Sequence, residues 1–313
     1  MSDKDYTRRQ FLDASLKAAG AAAFVPQFAL GAGPAEKDKP ATAASPASRK
    51  AARDDSAAEK LGWRLSMCSY TLRAMTFIEA VDATAALGLK YLDIHPSMTL
   101  SKDSKAKTSH ALTDELRQQM KKKLQDAGLR AGSYGVVGVP AKEEDARKVL
   151  AFAKEMGVSA INCEAKPDQL AALDKLAEEF GVNIALHNHP KPATYWDADT
   201  ILKAVEGRSK RIGACADTGH WKRSGVEPVE CLKKLKGRVI SLHFKDVIEA
   251  GKGWQDVPWG TGKGDVKGLL AELKNQGFQG VFGIEYEHGR GQELLDDVAK
   301  CIRFFDQTAA DLK

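Results

Sequence analysis

Six short runs of this chain end on side chains that can bind a cation or carry a proton. They read YLDIHP (Asp93, His95), INCEA (Glu164), ALHNHP (His187, His189), CADTGH (Asp217, His220), LHFKD (His243, Lys245, Asp246) and GIEYEH (Glu285, Glu287, His288). Each follows an apolar lead-in of strand length. A strand that only had to stop could use Gly219 alone, without a carboxylate and an imidazole three residues apart. One such pair carries little weight, since a lone Asp or His at a strand end more often serves its own loop. Several runs ending alike, with five of the seven histidines in the later windows, point to one site assembled from many strands. Oxygen and imidazole donors without thiolate suit Mn²⁺, Mg²⁺, Co²⁺ or Zn²⁺, with positions left open for a substrate. Carboxylates gathered in one mouth repel unless a cation neutralises them or their pKa values rise.

The elements that must position these groups alternate regularly. From Trp63 onward, short apolar runs beginning at Leu65, Tyr91, Leu129, Ala160, Asn183, Ile212, Val239 and Val281 read as strands. Between and after them, helical periodicity covers Phe77–Leu87, Thr113–Ala127, Glu143–Met156, Pro167–Phe180, Asp199–Val205, Pro228–Leu235, Val266–Asn275 and Glu293–Phe305. Glycines at 88, 128, 157, 181, 207, 237 and 277 follow helices, where a left-handed cap favours them. Eight β-α units over about 250 residues predict an α/β fold, a (β/α)8 TIM barrel, with reactive groups collected at the carboxyl ends of the strands. An open doubly wound sheet would need a Gly-rich turn after the first strand, and MCSYTLRAM has none.

The remaining sequence sets bounds. The chain has 313 residues, 43% hydrophobic and 28% charged, as expected of an ordinary globular protein. Its formal charge of +5 is dispersed, with ten Lys/Arg against eight Asp/Glu in residues 1–60. No stripe of basic residues interleaved with aromatics appears, which argues against a nucleic-acid partner. Residues 1–32 are expected to be a twin-arginine signal, with Arg8-Arg9 ahead of an Ala-rich run too short and too weakly apolar for a permanent span. Residues 33–60, rich in Ala, Ser, Pro and Lys, read as a disordered tether before a catalytic domain at 61–313. The expected location is therefore periplasmic or otherwise extracytoplasmic, without stable membrane insertion after cleavage. Five scattered cysteines without CxxC spacing exclude a zinc ribbon and fit buried small hydrophobes.

The stretches ADTGHW, ISLHFKD, DVPWGTGKGD and GIEYE resemble the xylose isomerase-like TIM-barrel superfamily, in its sugar phosphate isomerase/epimerase group, over about Trp63 to Asp306. The resemblance implies one divalent cation, Mn²⁺ first among Mg²⁺, Co²⁺ and Zn²⁺, held by Asp217, His243 and Glu285. It also implies substrate contact by His220. Many members end strand five with Glu-Asn-His, whose Glu is both ligand and base; here the position reads His187-Asn188-His189. Glu164 on the neighbouring strand is the expected replacement as fourth ligand, with His187 as the alternative. Glu164 and Glu285 form the expected catalytic carboxylate pair, with His187 as rival base. His189, Lys245 and Trp259 join His220 as expected substrate contacts, although Lys245 could equally pair with Asp246 or another carboxylate. The glycines of Trp259–Gly264 could form a lid or a tight turn.

The activity implied is that of a metal-dependent sugar isomerase or epimerase, removing a proton beside a carbonyl through an enediolate. The His-x-His run is similar to the inosose dehydratase branch and supports an alternative, a lyase or dehydratase acting on a 3-keto-glycoside or keto-polyol. A non-catalytic carbohydrate-binding barrel would not need the whole metal-type set. The partner is thus a small sugar or keto-sugar, and self-association into a homo-oligomer is left open.

Overall fold

The computed structural model describes residues 53–313. The expected signal at 1–32 and most of the expected tether lie outside the described residues. The tether's last residues do not: Ser56–Lys60 is a short helix (α1) with Ala57 and Ala58 buried. Arg53 makes two hydrogen bonds of 2.8 and 2.7 Å to Asp306 near the end of the chain. The ordered domain therefore starts before residue 61, because two alanines and a forked guanidinium give this stretch something to pack on.

Eight parallel strands close a barrel: β1 (Trp63–Cys68), β2 (Tyr91–Ile94), β3 (Arg130–Val137), β4 (Ala160–Cys163), β5 (Asn183–His187), β6 (Ile212–Asp217), β7 (Val239–Phe244) and β8 (Gly280–Ile284). Each pairs with its neighbours in chain order, and β1 pairs with both β2 and β8 to close the ring. Seven longer or shorter helices carry the chain from strand to strand: α2 (Phe77–Ala86), α3 (Asp114–Asp126), α4 (Glu143–Met156), α5 (Leu170–Phe180), α6 (Ala198–Ala204), α7 (Thr218–Arg223) and α8 (Pro228–Lys234). Then α9 (Val266–Asn275) leads to β8, and α10 (Gly291–Asp311) ends the chain. Thr76 and Glu79 form a reciprocal capping box at the start of α2, and left-handed Gly157 and Gly181 close α4 and α5. Among the described residues no helix is long and apolar enough to cross a membrane.

Alternation along the strands gives the barrel two different walls. The outer wall is apolar: Phe244 and Phe282 pack edge-on to each other and reach Trp259, Trp63 and Phe305. The inner wall is small and polar, with buried Ser66, Asp93, Ser133, Asn162 and Ser241 where barrels commonly place branched aliphatics. Among the described residues, Ala160, Ala185 and Cys215, with Ile240 beside them, form a separate apolar cluster. Two inner glycines have a steric reason: a Cβ at Gly132 or Gly283 would run into the Asp93 carboxylate.

Candidate active site

Strand register brings the ligand-type residues together at the carboxyl end of the barrel. Asp217 on β6 lies beside His243 on β7, and His187 at the end of β5 lies beside Cys215. Ile284 of β8 pairs with Phe244, so Glu285 leaves the sheet just above His243. His187 Nε2 is 3.0 Å from His243 Nδ1 and 3.5 Å from Asp217 Oδ2. His243 Nδ1 is 3.1 Å from Glu285 Oε2. One ligand atom from each of His187, Asp217, His243 and Glu285 lies within 4.8 Å of the other three, and all four residues are buried.

The run Asp217–His220 is a single device. Asp217 ends β6 and caps α7, its Oδ1 accepting the His220 N–H at 2.8 Å. Its Oδ2 is left buried without a hydrogen-bond partner. Thr218 Oγ1 donates to the Lys245 carbonyl at 2.9 Å and takes the Lys245 N–H at 2.9 Å. Gly219 is small because a Cβ there would press on the Lys245 side chain. The motif thus clamps Lys245 over the cluster.

Lys245 Nζ stands 2.8 Å from Glu285 Oε2, 3.1 Å from Asp217 Oδ2 and 3.5 Å from Glu287 Oε2, at ion-pair distance but outside hydrogen-bond alignment. Arg223 bridges Asp256 at 2.8 Å and Glu287 at 3.3 Å. Asp217, Asp256, Glu285 and Glu287 thus surround two permanent cations, Lys245 and Arg223. Ligands at about 2.0–2.2 Å from an ion stand at most about 4.4 Å apart, so the cluster needs only slight contraction to hold one. Two imidazoles, two carboxylates and an orphaned Asp217 oxygen fit such an ion.

The protonation states agree. Burial pushes His187 down to about 4 and His220 to about 2, so both rings are neutral at neutral pH and His187 can offer a lone pair. Burial would raise Asp217 and Glu285, but neighbouring positive charge, with Lys245 as the permanent one, holds both well below the usual carboxylate range.

The sequence matches the family model described as xylose isomerase-like TIM barrel over residues 81–307. The chain belongs to this family. It is 29% identical over 135 residues to an inosose dehydratase of Bacillus thuringiensis (strain Al Hakam), covering 38% of this chain and 45% of that protein. The chain spans about half the length of the curated relatives it matches. Among solved structures, a putative uncharacterized protein from Parabacteroides distasonis is 29% identical with a TM-score of 0.64, covering 79% of this chain and 99% of that one. The IolI protein with a bound zinc atom has the same fold at 19% identity and a TM-score of 0.60, covering 80% of this chain and 97% of that one.

Within this xylose isomerase-like barrel, the expected residues separate. Asp217, His243 and Glu285 meet as the resemblance implied, but the fourth place in the cluster is filled by His187, not Glu164. Glu164 stands at the mouth, 42% exposed at its side chain, with Oε1 2.8 Å from His189 Nδ1. β4 pairs Cys163 with Leu186, which sets Glu164 opposite His187, but the Glu164 carboxylate turns to His189 while the His187 ring turns into the cluster. The His189 hydrogen bond lowers the pKa of Glu164, and Glu164 raises that of His189. Trp259 does not reach the mouth. It is buried behind the barrel wall against Phe244 and Phe305. Its loop is stapled by Asp246, whose carboxylate accepts N–H bonds from Gly260, Gly262 and Gly264 at 2.9, 2.8 and 2.9 Å. These glycines make a tight turn, since a Cβ at Gly262 or Gly264 would meet that carboxylate. Asp93 lies on the barrel floor, pushed up to about 6 by burial, and His95 stacks on Tyr70 at the rim.

Three participants went unrecognised in sequence. Arg223 follows His220 by one helical turn, a spacing that could have flagged it. Asn162 lies two residues before Glu164 and so faces the barrel interior. Asp256 gave no signal, because a β-hairpin, Val247–Ala250 with Gly253–Asp256, carries it back to Arg223.

Proposed function

We propose that this protein is a divalent-cation-dependent sugar isomerase or epimerase, removing a proton next to a carbonyl. The observation that carries this reading is the convergence of four ligand atoms within 4.8 Å at the barrel mouth. His187, Asp217, His243 and Glu285 would hold the ion. Mn²⁺ is the ion we expect, and zinc, bound in IolI, suits the same donors. Such an ion, when bound, supplies Lewis-acid polarisation of a substrate carbonyl.

The chain's own residues do the rest. Glu164 is the base: it is ionised, half-exposed, and oriented by His189, whose ring lies 4.6 Å from that of His187 and 5.0 Å from that of His220. Removing the α-proton leaves an enediolate, whose charge Lys245 is placed to meet. Proton return to the opposite face epimerises and return to the neighbouring carbon isomerises. His220 and His189 line the path to the cluster and are assigned to substrate hydroxyls.

A second reading, dehydration of a keto-polyol or 3-keto-glycoside, has its own support in the similarity to inosose dehydratase. In it, Glu164 removes the same proton and passes it to the departing β-hydroxyl, which leaves as water. Incubation with aldoses, ketoses, inososes and 3-keto-glycosides in deuterated water, with and without Mn²⁺, tests both. Metal-dependent deuterium uptake is expected, with loss of water marking the second reading. No uptake from any of them would overturn both. Metal analysis divides the roles: Glu164→Gln should keep its ion and lose turnover by ~10²–10⁴-fold, while His187→Asn should lose the ion. The reverse result would return Glu164 to the ligand set. We also propose export by the twin-arginine route; Arg8 and Arg9 both changed to Lys should hold the precursor in the cytoplasm, and unchanged export would exclude that route.

A further inference from the structure

Beneath the cluster, Asn162 joins three side chains on the inner wall. Its Nδ2 donates to Ser133 Oγ at 3.0 Å and faces His243 Nε2 at 3.2 Å, and its Oδ1 accepts from Ser241 Oγ at 2.7 Å. All four residues are buried, with Asn162 and Ser241 each 1% exposed. An amide N–H facing Nε2 makes that nitrogen an acceptor, so the ring proton of neutral His243 sits on Nδ1. There it points to Glu285 Oε2 at 3.1 Å and His187 Nε2 at 3.0 Å, closing the metal-free cluster. A protonated Nδ1 has no lone pair for a cation.

We propose that Asn162 is the positioning residue that selects the tautomer of His243, and that its amide turns over when the cluster takes a divalent ion. This rests on the cation reading above. The turn needs no backbone movement, because both neighbours are hydroxyls that can donate or accept. After it, Oδ1 accepts from His243 Nε2–H and from Ser133, while Nδ2 donates to Ser241. Three hydrogen bonds stand before and three after. The ring loses a proton at Nδ1 and gains one at Nε2, with no net change. A leucine could fill the space but could not accept the Nε2 proton, and partners of this kind set the affinity of a metal-binding imidazole.

The test uses the full-length protein and Zn²⁺ alone as probe. Two-bond ¹H–¹⁵N spectra of ¹⁵N-histidine protein at alkaline pH, with His243 assigned through His243→Gln, should show Nδ1–H before Zn²⁺ and Nε2–H after it. Calorimetric titration should show Asn162→Leu binding Zn²⁺ ~10–100-fold more weakly than wild type. Asn162→Asp, which keeps an acceptor there, should recover most of that loss and show Nε2–H even without metal. Wild-type affinity in Asn162→Leu would overturn the role of Asn162 alone. An Nε2–H tautomer in the metal-free wild type would overturn the switch even if Asn162→Leu does not fold. Wild-type protein that takes up no Zn²⁺ would overturn the cation reading, and this inference with it.

Discussion

The two walls of the barrel come from the same eight strands and do opposite things. On β7, Leu242 and Phe244 face the helices, whereas Ser241 and His243 face the axis. The outer wall gains stability by burying large apolar surface, with rings such as Phe244 and Trp259 at 5.0 Å. The inner wall buries hydroxyls, an amide, carboxylates and Lys245, each of which must find a partner or destabilise the fold. Chemistry and stability are thus divided by strand alternation, so one strand can carry a ligand without losing its packing.

Substitutions on either wall sharpen this division. The largest effect is expected from Glu285→Gln, which removes a charge and an ion-pair partner of Lys245 without changing size. Divalent-ion affinity should fall by more than about 100-fold, beyond the loss typical for a residue that only supports a ligand, and turnover should fall with it. Retained affinity by calorimetry would place the ion elsewhere. Next comes Phe244→Ala on the outer wall, expected to lower stability by about 3–5 kcal/mol through loss of a fully buried ring. Its ion affinity, measured on the folded fraction, should match wild type; a joint loss would mean that the walls are not separable.

The smallest effect has the opposite sign. Asp93, on the inner wall, is pushed from 3.8 up to about 6 by burial, and its Oδ2 has no hydrogen-bond partner. Because the folded value is raised, ionised Asp93 destabilises the fold above pH 6, by up to about 3 kcal/mol. That penalty fades as the pH falls through 6 and is gone below 3.8. Asp93→Asn keeps an oxygen for Ser66 and the Ser133 N–H and should raise stability at neutral pH by about 1–3 kcal/mol. Near pH 4 the gain should vanish. A pH-independent difference in denaturant midpoints would show that the carboxylate's charge is not the cause.

Much of this was legible before any coordinates. Tyr91, Ala160, Asn183, Ile212 and Val239 begin their strands as read, and α4 and α9 have the expected bounds. Apolar lead-ins, helical periodicity and glycine caps are local, and the barrel follows from their alternation. The same holds for Asp217, His243 and Glu285, because a residue at a strand's carboxyl end has few places to go. What sequence could not decide was which neighbour fills the fourth place. Glu164 and His187 stand opposite each other at the ends of adjacent strands, and it is the packing of their side chains that puts the imidazole in the cluster and leaves the carboxylate with His189. Trp259 was misjudged for a similar reason: the loop looks free in sequence, but Asp246 binds it back and turns the ring behind the wall. The position of Lys245 between two carboxylates likewise depends on Thr218 and Gly219 of another strand's loop. Sequence alone determined the candidate groups of the cluster and the face on which they gather, because those follow from local periodicity, but not Arg223, Asn162 or Asp256 around them. The tertiary structure decided who touches whom, because a hydrogen bond needs its partners within about 3.2 Å, and that distance depends on how side chains from separate strands pack together.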